Sequence, residues 1–124
     1  LELAGLPAMP QQHADGVSLV PALRGEQLER DTVYWHYPHY SNQGGGPGAA
    51  IREGDWKLIE WYEGSELELY NLAEDIGEEQ NLAEEETELR DSLLAKLSTW
   101  RQSLDVLMPQ ENTKQIADAS AGKK

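Results

Sequence analysis

Cysteine is absent from this 124-residue chain, which excludes disulfides and thiolate metal sites. Basic residues are scarce. Ten Lys and Arg stand against 23 Asp and Glu, for a formal net charge of −13. A field of that sign repels a phosphate backbone, so no nucleic-acid partner is expected. Long apolar runs are also missing: none approaches the roughly 18 residues of a bilayer span, and no charged-then-apolar leader opens the chain. No membrane partner is expected. An initiating Met is lacking, since the first residue is Leu1, and the chain reads as a fragment. Its length suits one domain with a modest core.

What is present is concentrated. Eight of the nine aromatic residues fall between Tyr34 and Tyr70. Residues 32–37 are rich in β-branched and aromatic types, and Pro38 ends the run or confines it to a sheet edge. A strand there puts Tyr34 and His36 on one face and Val33, Trp35 and Tyr37 on the other. Residues 41–48 hold four glycines and a proline, which predicts a long irregular loop. Residues 49–53 and 56–62 read as strands joined at Gly54 and Asp55, a corner suited to a tight hairpin. A second corner at Gly64 leads to a strand over 67–72, with Leu67 and Leu69 facing in and Glu66 and Glu68 facing out.

The flanks support this sheet. Over residues 1–7, Gly5 fits the left-handed position past a helix end and Pro7 forbids continuation. A turn at Asp15 and Gly16, a capping Ser18, a short apolar helix and a closing Gly25 predict a connector. Asn81 and Glu84 have the spacing of a capping box. Leu89, Leu93, Leu97, Trp100, Leu104 and Leu107 then recur every three or four residues, the mark of a helix with one buried stripe. The expected fold is α+β: a three- to four-stranded antiparallel sheet over 32–72 with one long C-terminal helix, about 84–107, packed on one face. Residues 1–31 form a connector, 32–108 the folded unit, and 109–124 a polar tail expected to be disordered.

Five pieces occur in one order: Asp15-Gly16-Val17-Ser18-Leu19, Trp35-His36-Tyr37-Pro38-His39-Tyr40, Ile51 through Ile59 with Gly54-Asp55-Trp56-Lys57 at its centre, Glu68-Leu69-Tyr70-Asn71-Leu72, and Asn81-Leu82-Ala83. Together they resemble the C-terminal part of the sulfatases over residues 1–105. The resemblance implies a small sheet with a helix on it, attached to a missing N-terminal α/β catalytic domain as its partner. It implies that residues 1–7 end the last helix of that domain. It also implies periplasmic or secreted location. In the family a formylglycine, made from the Cys or Ser of a Cys/Ser-x-Pro/Ala-x-Arg motif, attacks sulfur beside a calcium ion. This chain has no such motif, because Ser18 precedes Leu-Val-Pro and Ser41 precedes Asn-Gln-Gly. Calcium and formylglycine are therefore expected in the missing domain, with no cofactor here, and the fragment alone is expected to be inactive.

Its contribution is expected at the substrate pocket, for a sulfated small molecule or saccharide. His36 and His39, beside the glycine-rich loop, can hydrogen-bond a sugar hydroxyl or a leaving-group oxygen, since imidazole donates and accepts. Against this, both can be merely packed, one by a tyrosine hydroxyl and one by solvent. Arg52 can grip a sulfate or carboxylate, or pair with Glu53 on the surface, as Lys57 can with Asp55 or Glu60. Trp56, Trp61 and Tyr62 can stack on sugars or fill the core. The histidine pair lacks a third metal ligand. The glycines lack the Lys-Ser/Thr of a phosphate cradle, and the 74–79 turn lacks the alternating oxygens of a calcium loop. The alternative to a sulfatase piece is a non-catalytic module binding glycan or protein. An excised subdomain is expected to expose an interdomain face and to be able to dimerise through it.

Overall fold

The computed structural model describes residues 1–13, 16–42 and 44–110. Four strands, β1 (Thr32–Tyr37), β2 (Gly48–Glu53), β3 (Trp56–Trp61) and β4 (Leu67–Asn71), follow α1 (Val20–Leu23) and precede α2 (Thr87–Ser103). The sheet is a meander of order β1-β2-β3-β4, antiparallel throughout. The fold is therefore α+β, with all four strands of the expected sheet.

Register explains the core. Tyr34, Ile51, Leu58 and Leu69 stand side by side across the four strands. Their side chains share one face, as alternation requires, and α2 covers it. Ile51, Leu58 and Leu69 are fully buried against Leu93 and Leu97 of the helix, each such side chain contributing about 1.5–3 kcal/mol. Trp100 extends this contact to the β1 edge by stacking on Tyr34, with centroids 4.9 Å apart and planes 9° from parallel. The hairpin corner holds Gly54 at φ 57°, a conformation that costs glycine little.

The N-terminal flank is built from short elements. Residues 2–4 form a single 3-10 turn, closed as anticipated by Gly5 at φ 67°. Ser18 accepts from the Val20 amide at 3.2 Å, while Leu19 occupies the cap position of α1. The turn expected at Asp15 lies partly outside the described residues.

Asn81 does not cap the long helix. Its Oδ1 accepts from the Leu69 amide at 3.0 Å and the Ala83 amide at 2.9 Å, and its Nδ2 donates to the Leu67 carbonyl at 3.2 Å. With the Leu82 amide bonded to the Leu69 carbonyl at 2.8 Å, Asn81 closes the free edge of β4. The helix consequently starts later, at Thr87. It also ends earlier, at Ser103, because Trp100 already rests on the edge strand and no sheet lies beyond it. Leu104 and Leu107, assigned to the buried stripe by their spacing, are 55% and 86% exposed. The tail lies outside the described residues from residue 111 onward.

Candidate functional site

The strand alternation that buries one face of the sheet leaves the other uncovered by the helix. Across it run three rows: Tyr37, Gly48 and Trp61; Trp35, Ala50, Ile59 and Glu68; and Val33, Arg52, Lys57 and Tyr70. The small residues on β2 make a floor between the taller side chains of β1 and β3. The result is a trough of about 570 Å³, bounded at one end by Gly44, Gly45 and Gly46 and along one side by Leu72, Ile76 and Glu78. Trp35 and Tyr37 on its rim are 48% and 51% exposed.

The three site residues predicted from sequence do not converge. Arg52 lies in the trough and is exposed, its Nε donating to the Gly54 carbonyl at 3.1 Å. Among the described residues it makes no ion pair; Glu53, its expected partner, instead meets Lys96 of α2 at 2.6 Å. Lys57 likewise passes over Asp55 and Glu60 to reach Glu78 at 2.6 Å. His39 sits just past β1 and is exposed, edge-on to the Tyr37 ring at 5.6 Å. It is next to the glycine-rich loop, where Gly44 and Gly45 have φ near 98° and 91°. Tyr40 in the same segment donates to Glu63 across the loop mouth.

His36 points the other way, toward α2. Its Nε2 lies 3.1 Å from the Leu107 carbonyl, which can only accept, so Nε2 carries the proton. Nδ1 then accepts from the Tyr62 hydroxyl at 2.5 Å. Tyr62 in turn accepts from Arg101 at 3.1 Å, and burial, foremost, pushes its hydroxyl above the ordinary tyrosine range. Arg101 approaches Glu60 to 2.7 Å, both side chains mostly buried. The Glu60 oxygen lies off the line of the N–H groups, so charge attraction holds this pair without an aligned hydrogen bond. Sequence reasoning missed Arg101 and Glu60. Nothing local marks two residues 41 positions apart as partners, beyond the single basic residue in the last turn of α2.

The acidic turn is closed on itself. The Asp75 carboxylate accepts from the amides of Glu79, at 2.9 Å to its nearer oxygen, and Gln80, at 2.9 Å. These bonds, that of Gln80 foremost, hold its carboxyl below the usual range. Among the described residues no group of three or more His, Asp or Glu is arranged to hold a metal ion.

A four-stranded meander under one helix, with an aromatic rim and a glycine-rich loop on its open side, defines a small α+β unit. Residues 1–103 match the family described as N-sulphoglucosamine sulphohydrolase, C-terminal, and the chain belongs to that family: it is the C-terminal subdomain of a sulfatase. A sulfatase of Formosa agariphila is 39% identical over 94 residues, 68% of this chain and 17% of the relative. The delta 4,5-hexuronate-2-O-sulfatase of Bacteroides thetaiotaomicron is 37% identical over 90 residues, 68% of this chain and 18% of the relative. A solved 2-O GAG sulfatase superposes with TM-score 0.62 at 27% identity, covering 82% of this chain and 22% of that one. The chain thus spans less than a fifth of the length of the two curated relatives.

Proposed function

We propose that this chain serves an enzyme that hydrolyses sulfate esters of a carbohydrate, shaping the substrate pocket while a catalytic domain elsewhere in the polypeptide supplies the nucleophile. The observation that carries this reading is the match over residues 1–103 to a sulfatase C-terminal family, in a chain with no cysteine and no serine in the formylglycine context. Calcium and formylglycine belong, in this reading, to that other domain; the described residues of this chain offer calcium no cluster. The chain alone is then inactive, and the enzyme works in the periplasm or outside the cell.

The substrate class in this reading is supported by relatives named as a hexuronate-2-O-sulfatase and a 2-O GAG sulfatase. Within this chain, His39 and the adjoining glycine-rich loop are the parts free to lean over a pocket, where the imidazole meets a sugar hydroxyl or leaving-group oxygen. His36 supports this edge from behind, because both of its nitrogens are engaged within the chain.

Reading the coding DNA upstream of Leu1 tests the proposal. A Cys/Ser-x-Pro/Ala-x-Arg motif in the same frame is the expected result. A start codon immediately before Leu1 overturns it and leaves a non-catalytic binding module. In the full-length enzyme, His39→Ala is then expected to lower kcat/KM about tenfold, or about 1.4 kcal/mol of transition-state stabilisation.

A further inference from the structure

We infer that the open face of the sheet is the seat of the catalytic domain, docked on the aromatic trough between Trp35, Tyr37 and Trp61. The inference rests on the sulfatase reading above and adds which of the two faces of the sheet is used.

The helix face is ruled out by its occupant. Ile51, Leu58 and Leu69 already have no exposed surface beneath α2, and the outward side of that helix carries Asp91, Ser92 and Thr99. The open face has the opposite character. Val33, Trp35, Tyr37 and Ile76 are all exposed there, beside the trough floor of Gly48, Ala50 and Ile59. Contiguous exposed apolar surface of this kind marks an interaction site.

Three observations identify the occupant. The matched family is by description a C-terminal one, and the curated relatives extend over five times the length matched here, so most of each relative lies outside this stretch. Charge is the second. The chain is strongly acidic, yet Arg52 stands in the trough with no ion pair among the described residues, which suits a carboxylate on the docking surface. Size is the third. Three strands of six residues present a face of about 14 by 20 Å, near 300 Å² a side and about 600 Å² in total, within the usual range for interfaces between domains. Docking there also places the glycine-rich loop and His39 at the margin of the junction, where a substrate held by the catalytic domain would meet them.

The test uses the full-length polypeptide with single cysteines introduced by Tyr37→Cys and Arg52→Cys on the open face, and by Ser92→Cys and Thr99→Cys on the outer side of α2. Maleimide labelling is read peptide by peptide by mass spectrometry. The expected result is labelling at 37 and 52 slower by at least about tenfold than at 92 and 99, the protection from an opening cost of about 1.4 kcal/mol, with all four equal in urea. Equal native rates overturn the inference, and protection at 92 and 99 in place of 37 and 52 assigns docking to the helix. Protection at 37 and 52 that appears only on adding a heparin tetrasaccharide makes the trough a saccharide surface and also overturns it. Labelling does not depend on turnover, so an enzyme inactive on sulfate esters can still show the protected face, and failure of the two readings is told apart. If no longer reading frame exists, both fail together.

Discussion

Removing one oxygen, by Tyr62→Phe, separates the two roles open to His36. The hydroxyl accepts from Arg101 at 3.1 Å and donates to His36 Nδ1 at 2.5 Å. Its loss leaves the ring in place against the core but strands a half-buried imidazole nitrogen. Arg101 keeps Glu60 at 2.7 Å and Ser98 at 3.3 Å, which limits the damage at that end. One bond to a charged donor and one neutral bond, both partly exposed, make the expected loss about 1–2 kcal/mol. For a folded unit of this size that lowers Tm by about 5–15 °C. Urea unfolding followed by tryptophan fluorescence measures it, with the m-value unchanged because the surface exposed on unfolding is the same. His36→Ala is expected to cost a similar amount, and the double variant to cost less than the sum by at least about 0.5 kcal/mol, since the two residues share one network. A Tyr62→Phe protein within about 0.3 kcal/mol of the parent, or strictly additive costs, refutes the argument and returns His36 to the candidates for direct substrate contact.

The buried core and the titratable groups of the sheet edge carry further expectations. Leu97→Ala, at a fully buried position on α2, is expected to destabilise by about 2–5 kcal/mol in the same urea assay. Asp75 has its folded-state pKa lowered by backbone amides, so its stabilising contribution is present above the unfolded value near 4 and is lost as pH falls through the folded value. Asp75→Asn should flatten that acid limb of the stability profile, and an unchanged limb counts against the assignment. Tyr70 behaves in the opposite sense. Burial, foremost, raises its pKa to about 12, so stability is full below the unfolded value near 10 and falls as pH rises toward the folded one. Tyr70→Phe should remove the latest step of the tyrosine absorbance titration.

Much of the sheet was legible in the sequence because its signals are local. Residues 32–37 alternate, Gly54 permits the corner, and Leu67 and Leu69 flank a glutamate, so strand positions and facing follow without knowledge of the fold. The helix limits were not, because they depend on what lies beneath. The spacing through Leu104 and Leu107 continues the stripe, but the sheet stops at Tyr34 and Trp100. Asn81 carries a capping signal, but the edge of β4 engages its side chain, which accepts from the Leu69 amide and donates to the Leu67 carbonyl. The ion pairs failed for a related reason. Arg52 and Lys57 have acids next to them in the chain, yet alternation sends adjacent strand residues to opposite faces, so the partner of Glu53 comes from α2 and that of Lys57 from the acidic turn. At the candidate site the sequence offered both His36 and His39 to a pocket beside the glycine-rich loop, and the same alternation, with the bend after Pro38, parts them.

The glycine-rich stretch contains glycines with two different roles, and the difference bears on the open face. Gly44 and Gly45 have positive φ and nothing within 4 Å of where a Cβ would stand. They are needed for the backbone path and leave the loop surface bare for another molecule to approach. Gly48 has no such dihedral. A Cβ there would lie 2.9 Å from the Glu60 carbonyl and 3.2 Å from the Trp61 ring, so this glycine serves packing: it lets Trp61 lie down beside β2 and form the trough wall. Gly48→Ala must therefore lift Trp61 or part β2 from β3 at the pair Gly48 and Trp61. Because α2 and its core sit on the far side, the substitution disturbs the open face more than the hydrophobic centre. Its effect on docking in the full-length polypeptide should consequently exceed its effect on the folding of this subdomain. That ordering follows only if the trough is an interface, since a merely solvated face would register the change as a small loss of stability and nothing else.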